Sequence, residues 1–180
     1  KAKADSAITD ESTPGPEDTV YAEISVDAAS VAEGGKLTYT VKLVDASGAD
    51  VDVPAGDSVV VALNWSGAAA GGADTSALPA TITVGGASAT NTATFEVTAT
   101  DDLYAEGSEA ITATISGVTD TDSNFEAVAP STDPAKAKAD SAITDESTPG
   151  PEDTVYAEIS VDAASVAEGG KLTYTVKLVD

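Results

Sequence analysis

The sequence predicts an all-β chain: a two-sheet sandwich of seven strands, repeated in tandem. Three observations lead there. Apolar and polar residues alternate at a period of two in segment after segment, Gly-, Asp-, Ser- and Ala-rich turns separate those segments, and no stretch carries a helical stripe. The repetition is literal, because residues 1–45 recur without a change at 136–180, an offset of 135. Nearly identical repeats of that length are whole domains, longer than the period of about 20–50 residues of a solenoid.

The strands follow in order. Residues 20–27 (VYAEISVD) open the domain and 36–44 form the clearest alternation, with Leu37, Tyr39, Val41 and Leu43 on one face and Thr38, Thr40 and Lys42 on the other. Residues 58–65 contain the continuous apolar run Val59–Leu63, the pattern of a central strand, and end at Trp65, the chain's single Trp and a candidate core anchor. Residues 80–84 follow. Then 92–100 alternate Ala93, Phe95, Val97 and Ala99 against Thr94, Glu96 and Thr98. Residues 109–116 set Ile111, Ala113 and Ile115 against Thr112 and Thr114, and 136–144 complete the set. Seven short strands in one domain suggest an immunoglobulin-like sandwich without the Cys pair of antibody domains.

Two linkers bound the domain. Residues 12–18 and their copy 147–153 (STPGPED) hold two Pro and one Gly and no large apolar side chain, and their prolines favour an extended, semi-rigid path. Residues 19–146 are then the complete sandwich, 1–11 the last strand of a preceding repeat, and 154–180 the first two strands of the next, left without their partner strands.

Composition removes whole classes of function. The chain has 31 acidic and 8 basic side chains for a net charge of −23, and no Cys, His or Met. Thiolate or imidazole metal sites, Ser-His-Asp and Cys-His nucleophiles, disulfides and haem ligation are therefore excluded. So negative a surface repels phosphate backbones and anionic lipid, so nucleic acid and membrane are not expected partners. The apolar runs are far too short for a membrane-spanning helix, and nothing resembles a signal peptide. The only enzyme-like constellation is the acid pair Glu106 and Glu109, which has no partner base and no aromatic-lined cleft. No enzyme activity and no small-molecule substrate are expected.

The acids gather by topology. In an up-and-down sandwich the loops after the first, third, fifth and seventh strands share one end. Those loops carry Glu33, Asp74, the run DDLYAEGSE with Asp101, Asp102, Glu106 and Glu109, and finally Asp145 and Glu146. Carboxylates crowded at one pole repel unless a cation neutralises them. An oxygen-only donor set built from many carboxylates on loops suits Ca²⁺ better than Mg²⁺. A solvated acidic face is the alternative reading. Asp10, Glu11 and Glu168 are repeat equivalents of these ligands, and Asp153, beside Glu152 in the linker, lies where a neighbouring repeat would meet the pole. At the other pole Asp120, Asp122 and Asn124 have a D-x-D-x-N spacing that opens many calcium loops. Phe125 stands where the turn Gly of an EF-hand would be, so an Asx-rich turn serves equally well.

The same residues carry a resemblance. VAEGG (31–35), GAD (72–74), TDDLYAEGSEAI (100–111) and ITDE (143–146) resemble, in that order, the motifs of a Calx-β domain across the complete unit. The resemblance implies a Calx-β-like sandwich whose acids bind a small cluster of calcium ions at one end. Two runs are shorter than the family's three-Asp runs, since Leu103 follows Asp101–Asp102 and Ser147 follows Asp145–Glu146, which implies fewer or weaker sites. The phrases LTYTVKLVDASG, ALNWSGAAAGGAD and LPATITV resemble the extender repeats of giant RTX-type (LapA-like) bacterial surface adhesins. That resemblance implies a stalk of tandem domains, extracellular at the bacterial surface, exported by a type I system, with neighbouring repeats of the same chain as partners and Ca²⁺ as the cofactor. A calcium-dependent glycan- or protein-binding module is the alternative.

Overall fold

The computed structural model describes residues 3, 5–7, 9 and 12–180. Among them the chain is an all-β sandwich, followed by a separate hairpin. One sheet has four strands, in the order β6 (Thr92–Thr98), β3 (Lys36–Val44), β1 (Thr19–Val26), β8 (Ala127–Pro130). The other has five: β2 (Val31–Ala32), β9 (Lys138–Thr144), β7 (Ser108–Asp120), β4 (Ser58–Ser66), β5 (Thr81–Gly85). No helix among the described residues is long and apolar enough to cross a membrane.

The sandwich thus has nine strands, not seven. The two additions are the two-residue β2, parallel to β9, and the four-residue β8, parallel to β1. Neither is long enough to display alternation, and Pro130 marks β8 as an edge strand. Strand β7 also runs on to Asp120, beyond the end expected at residue 116. The register against β4 shifts between Ala62 and Leu63, opposite Gly117, so the glycine marks a bulge and not a strand end.

The alternation does what its period demands. Val20, Ala22 and Ile24 of β1 and Leu37, Tyr39, Val41 and Leu43 of β3 point inward to meet Val59, Val61 and Leu63 of β4 and Ile111, Ala113 and Ile115 of β7. Tyr39 stacks on Phe95 with centroids 5.3 Å apart and receives the edge of Trp65 at 5.3 Å. Trp65 is half-buried and packs against the edge of this core, its indole N–H donating to the Pro79 carbonyl at 2.8 Å.

The linkers close into turns where an extended path was expected. Pro16–Asp18 and Pro151–Asp153 each form a 3₁₀ turn. In the first, the Gly15 N–H donates to Asp18 Oδ2 at 3.0 Å, and in the second the Gly150 N–H donates to Asp153 Oδ2 at 2.5 Å. Lys3, Asp5, Ser6, Ala7 and Thr9 are exposed and lie outside any strand, although their copies lie in β9. Residues 154–180 pair with themselves: β10 (Tyr156–Val161) and β11 (Tyr174–Val179) form a hairpin in the register of β1 and β3.

Candidate metal centre

The pole where β6, β9, β2 and the β4–β5 loop end is built by backbone ties that bring separate loops together. The Glu33 N–H donates to the Thr144 carbonyl at 2.9 Å, the Gly34 N–H to the Ala99 carbonyl at 3.2 Å, and the Ala99 N–H to the Gly35 carbonyl at 2.9 Å. The VAEGG segment is therefore pinned between the exits of β9 and β6. Gly34 has φ +72°, the left-handed region that favours glycine, and a Cβ at Gly35 would collide with Val31 and the Ala32 carbonyl. The β4–β5 loop crosses to the same place, with the Thr100 N–H donating to the Asp74 carbonyl and the Ser76 N–H to that of Thr98, both at 2.9 Å. These ties bury Asp74 to 9% exposure.

Around that frame the carboxylates form a continuous array. Oxygens of Glu33, Asp101 and Glu146 lie within 4.8 Å of one another, as do those of Glu33, Asp102 and Glu106, and those of Asp74, Glu106 and Glu109. Glu33 and Glu106 each belong to two groups and link the three into a chain. Seven of the eight acids named from the loops thus share a group. Asp145 is used differently. Its carboxylate accepts from the backbone N–H of Glu106 and of Gly107, each at 3.1 Å, and so folds the β6–β7 loop over the array. Asp102 also shapes that loop, accepting from the Tyr104 N–H at 2.8 Å.

Electrostatics follow from the crowding. Burial, then the charges of Asp145, Asp102, Glu146 and Asp101, push the Glu33 carboxyl up to about 7. Glu106 and Glu109 are raised by burial first and then by Asp74, and Glu146 is raised first by its hydrogen bond to Asp153. The lysines of the sandwich do not relieve this charge. Lys36, Lys42, Lys136 and Lys138 pair with Glu96, Asp50, Glu23 and Asp140, none of them in the array.

The linker reaches the pole. Asp153 lines, with Glu33, Asp102, Asp145, Glu146 and Pro149, a cavity of about 180 Å³ at this end. Tyr104 lines it too and is 69% exposed; its signal in the sequence is its place as the lone aromatic among Ala, Gly and Asp residues of the loop. Asp10 and Glu11 lie outside the described residues. Glu168 lies exposed between β10 and β11 and belongs to none of the carboxylate groups among the described residues. The far-pole motif is an Asx turn: Asp120 accepts from the N–H of Phe125 at 2.8 Å and of Asp122 at 3.2 Å, and Asp122 from the Ser58 N–H at 2.8 Å. Those two carboxylates tie the β7–β8 loop to the start of β4, and Asn124 lies exposed in the same loop.

A crystal structure of the CBD1 domain of Calx, in its apo form, is similar to this chain. The likeness has a TM-score of 0.45 and 15% sequence identity, and covers 70% of this chain and 98% of that one. No family model and no curated protein matches the sequence.

The donor set tests directly whether an ion fits. It contains oxygens alone, with Asp74 largely withdrawn from solvent among other carboxylates, and it is anchored on backbone ties from four loops. Such a set matches a hard divalent cation of flexible coordination, of which Ca²⁺ is the type.

Proposed function

We propose that the chain is a spacer repeat of a large bacterial cell-surface adhesin, stiffened by Ca²⁺ at the end of each sandwich and at the junction with the next. One observation carries this reading: Asp153, from the linker, touches Glu146, which groups with Glu33 and Asp101 of the sandwich. A cation held by Glu33, Asp101, Asp102, Glu106, Glu109, Asp74 and Glu146 would supply the countercharge that this pole lacks. Because Glu146 leads into the linker, the same countercharge would bear on the angle between one domain and the next. Literal repetition and the identical STPGPED linkers support a spacing role, and the absence of Cys and His supports a chain without catalysis.

Extracellular calcium modules bind with a Kd of about 10⁻⁴–10⁻³ M. In this reading the sites are empty at cytosolic calcium levels and fill outside the cell, so the chain leaves through a type I exporter without metal and stiffens at the surface. Thermal melts test it. Calcium at about 100 times its Kd should stabilise the sandwich by about 2.7 kcal/mol per independent site, and a Tm that does not move between calcium and EDTA sinks the proposal.

Exposed Tyr104 beside the array supports a second reading, a calcium-dependent glycan-binding module in which a sugar stacks on the ring. A glycan array run with calcium and with EDTA decides between the two: calcium-dependent sugar binding that Tyr104→Ala abolishes favours the second.

A further inference from the structure

A cavity of about 450 Å³ lies at the pole opposite the carboxylate array, on the outer face of the β6–β3–β1–β8 sheet. Tyr21 and Glu23 of β1 line it because they alternate with the inward-facing Val20, Ala22 and Ile24. Val44, opposite Tyr21 across the β1–β3 ladder, is buried to 3% exposure and completes an apolar floor.

Two turns wall this floor, and each is set by its own aspartate. Asp45 Oδ1 accepts from the N–H and the hydroxyl of Ser47, at 2.8 and 2.7 Å, and from the Ala49 N–H at 2.9 Å. Asp133 Oδ1 accepts from the Ala135 N–H at 2.9 Å, and the Lys136 and Ala137 N–H groups both donate to the Asp133 carbonyl at 3.0 Å. Lys136 Nζ then reaches across to Glu23 Oε1 at 3.0 Å. The walls are formed before any ligand arrives, so binding is spared the cost of ordering them.

We infer that this groove binds a neutral saccharide. The mixture of groups around the floor decides the class. An anion would face the carboxylates of Glu23, Asp45 and Asp133, with Lys136 already paired. An organic cation would be met by Lys136 itself. A metal ion finds no converging set, since these three acids belong to none of the carboxylate groups among the described residues. A wholly apolar ligand would strip water from the charges and from the hydroxyls of Ser131 and Thr132 without replacing a hydrogen bond. A pyranose answers every part of the lining. Its C–H face suits the Tyr21 ring and Val44, and its vicinal hydroxyls donate to carboxylates and accept from Lys136 and Thr132. Neither the carboxylate array nor Tyr104 takes part, so this binding needs no calcium.

The full chain is tested on an array of neutral oligosaccharides, with acidic and amino sugars alongside, in calcium and in EDTA. It should retain neutral glycans equally in both. Ala46→Trp fills the groove from an exposed position on its wall and should abolish binding. Asp133→Asn keeps an acceptor for the Ala135 N–H and should weaken binding about tenfold through the lost charged acceptor. Tyr104→Ala should change nothing. Circular dichroism melts establish that each variant is folded, and Asp133→Asn decides if Ala46→Trp does not fold. The proposal is overturned if no neutral glycan is retained, if only acidic or amino sugars are, or if the folded groove variants bind as the unaltered chain does. Binding that EDTA or Tyr104→Ala abolishes also overturns it, because the sugar would then sit at the carboxylate pole.

Discussion

Tyr39 sits at the centre of the core with its ring stacked on Phe95, yet its hydroxyl is buried without a hydrogen-bond partner. Burial, and then the charges of Asp27 and Asp140, push its ionisation up to about 12, so it stays a neutral phenol with an unmet donor. An unsatisfied buried polar group costs about 1–3 kcal/mol. Tyr39→Phe keeps the ring contacts and should raise the stability measured by urea denaturation by about 1 kcal/mol; a fall would mean that the hydroxyl has a partner. Glu33 supplies the second residue-scale prediction. Its carboxyl is raised from 4.5 to about 7 on folding, so the folded state binds the proton more tightly than the unfolded one. By linkage, this group costs no stability below the usual glutamate range, and its cost grows as pH rises through about 7. In EDTA, lowering the pH from above about 7 toward about 5 should therefore raise Tm, and Glu33→Gln should flatten that slope and raise Tm at the alkaline end. Asp27, Asp45, Asp50, Asp122 and Asp140, lowered by hydrogen bonds, act oppositely: the stability they add above the usual aspartate range is lost only at more acid pH. At this scale the sequence is informative about which acids converge, because their loops follow alternate members of the seven longer strands, the ones the alternation reveals. It is silent on how Asp145 differs from its neighbour Glu146, since both follow the last strand. Only the folded β6–β7 loop shows one carboxylate turned to backbone donors and the other toward Asp101 and Asp153.

Among elements, those with a long buried face are the ones that alternation reveals. β3 and β4 were legible to within a residue because every second side chain enters the core. β2 and β8 were not, because two and four residues cannot establish a period, and both owe their existence to parallel partners far away in sequence. Turn geometry was legible only as composition. Gly67, where β4 leaves for the loop that carries Asp74, has φ +108° and lies so close to the Ala110 carbonyl that a Cβ would overlap it, whereas Gly72, at φ +91°, faces open space. Comparing the two separates strain from collision. Gly72→Ala should cost only the backbone penalty of about 1–3 kcal/mol. Gly67→Ala should cost more, because β7 must also move, and it should weaken any calcium-induced rise in Tm by displacing Glu109 at the start of that strand. Equal losses at the two positions would remove the steric part of this account.

For the molecule as a whole, the question is whether the pole governs only the sandwich or also the path of the chain beyond it. The two roles would rest on different carboxylates: Asp74, Glu106 and Glu109 lie within the sandwich, while Glu146 and Asp153 belong to the exit and the linker. Asp153 also closes its own 3₁₀ turn through the Gly150 N–H, so its loss would both loosen the turn and remove a charge from the junction. Asp153→Asn retains an acceptor for that N–H and removes the charge alone. In a chain of several repeats it should leave any calcium-dependent rise in Tm nearly intact, because the carboxylates within the sandwich are untouched. The maximum dimension measured by small-angle scattering should lose its calcium dependence, because successive domains are no longer held at one angle. Glu109→Gln should do the reverse, lowering the calcium effect on Tm while leaving more of the effect on length. If both variants shift Tm and length in the same proportion, end-of-domain and junction sites are one unit, and the spacing role follows from folding alone and not from a cation at the hinge.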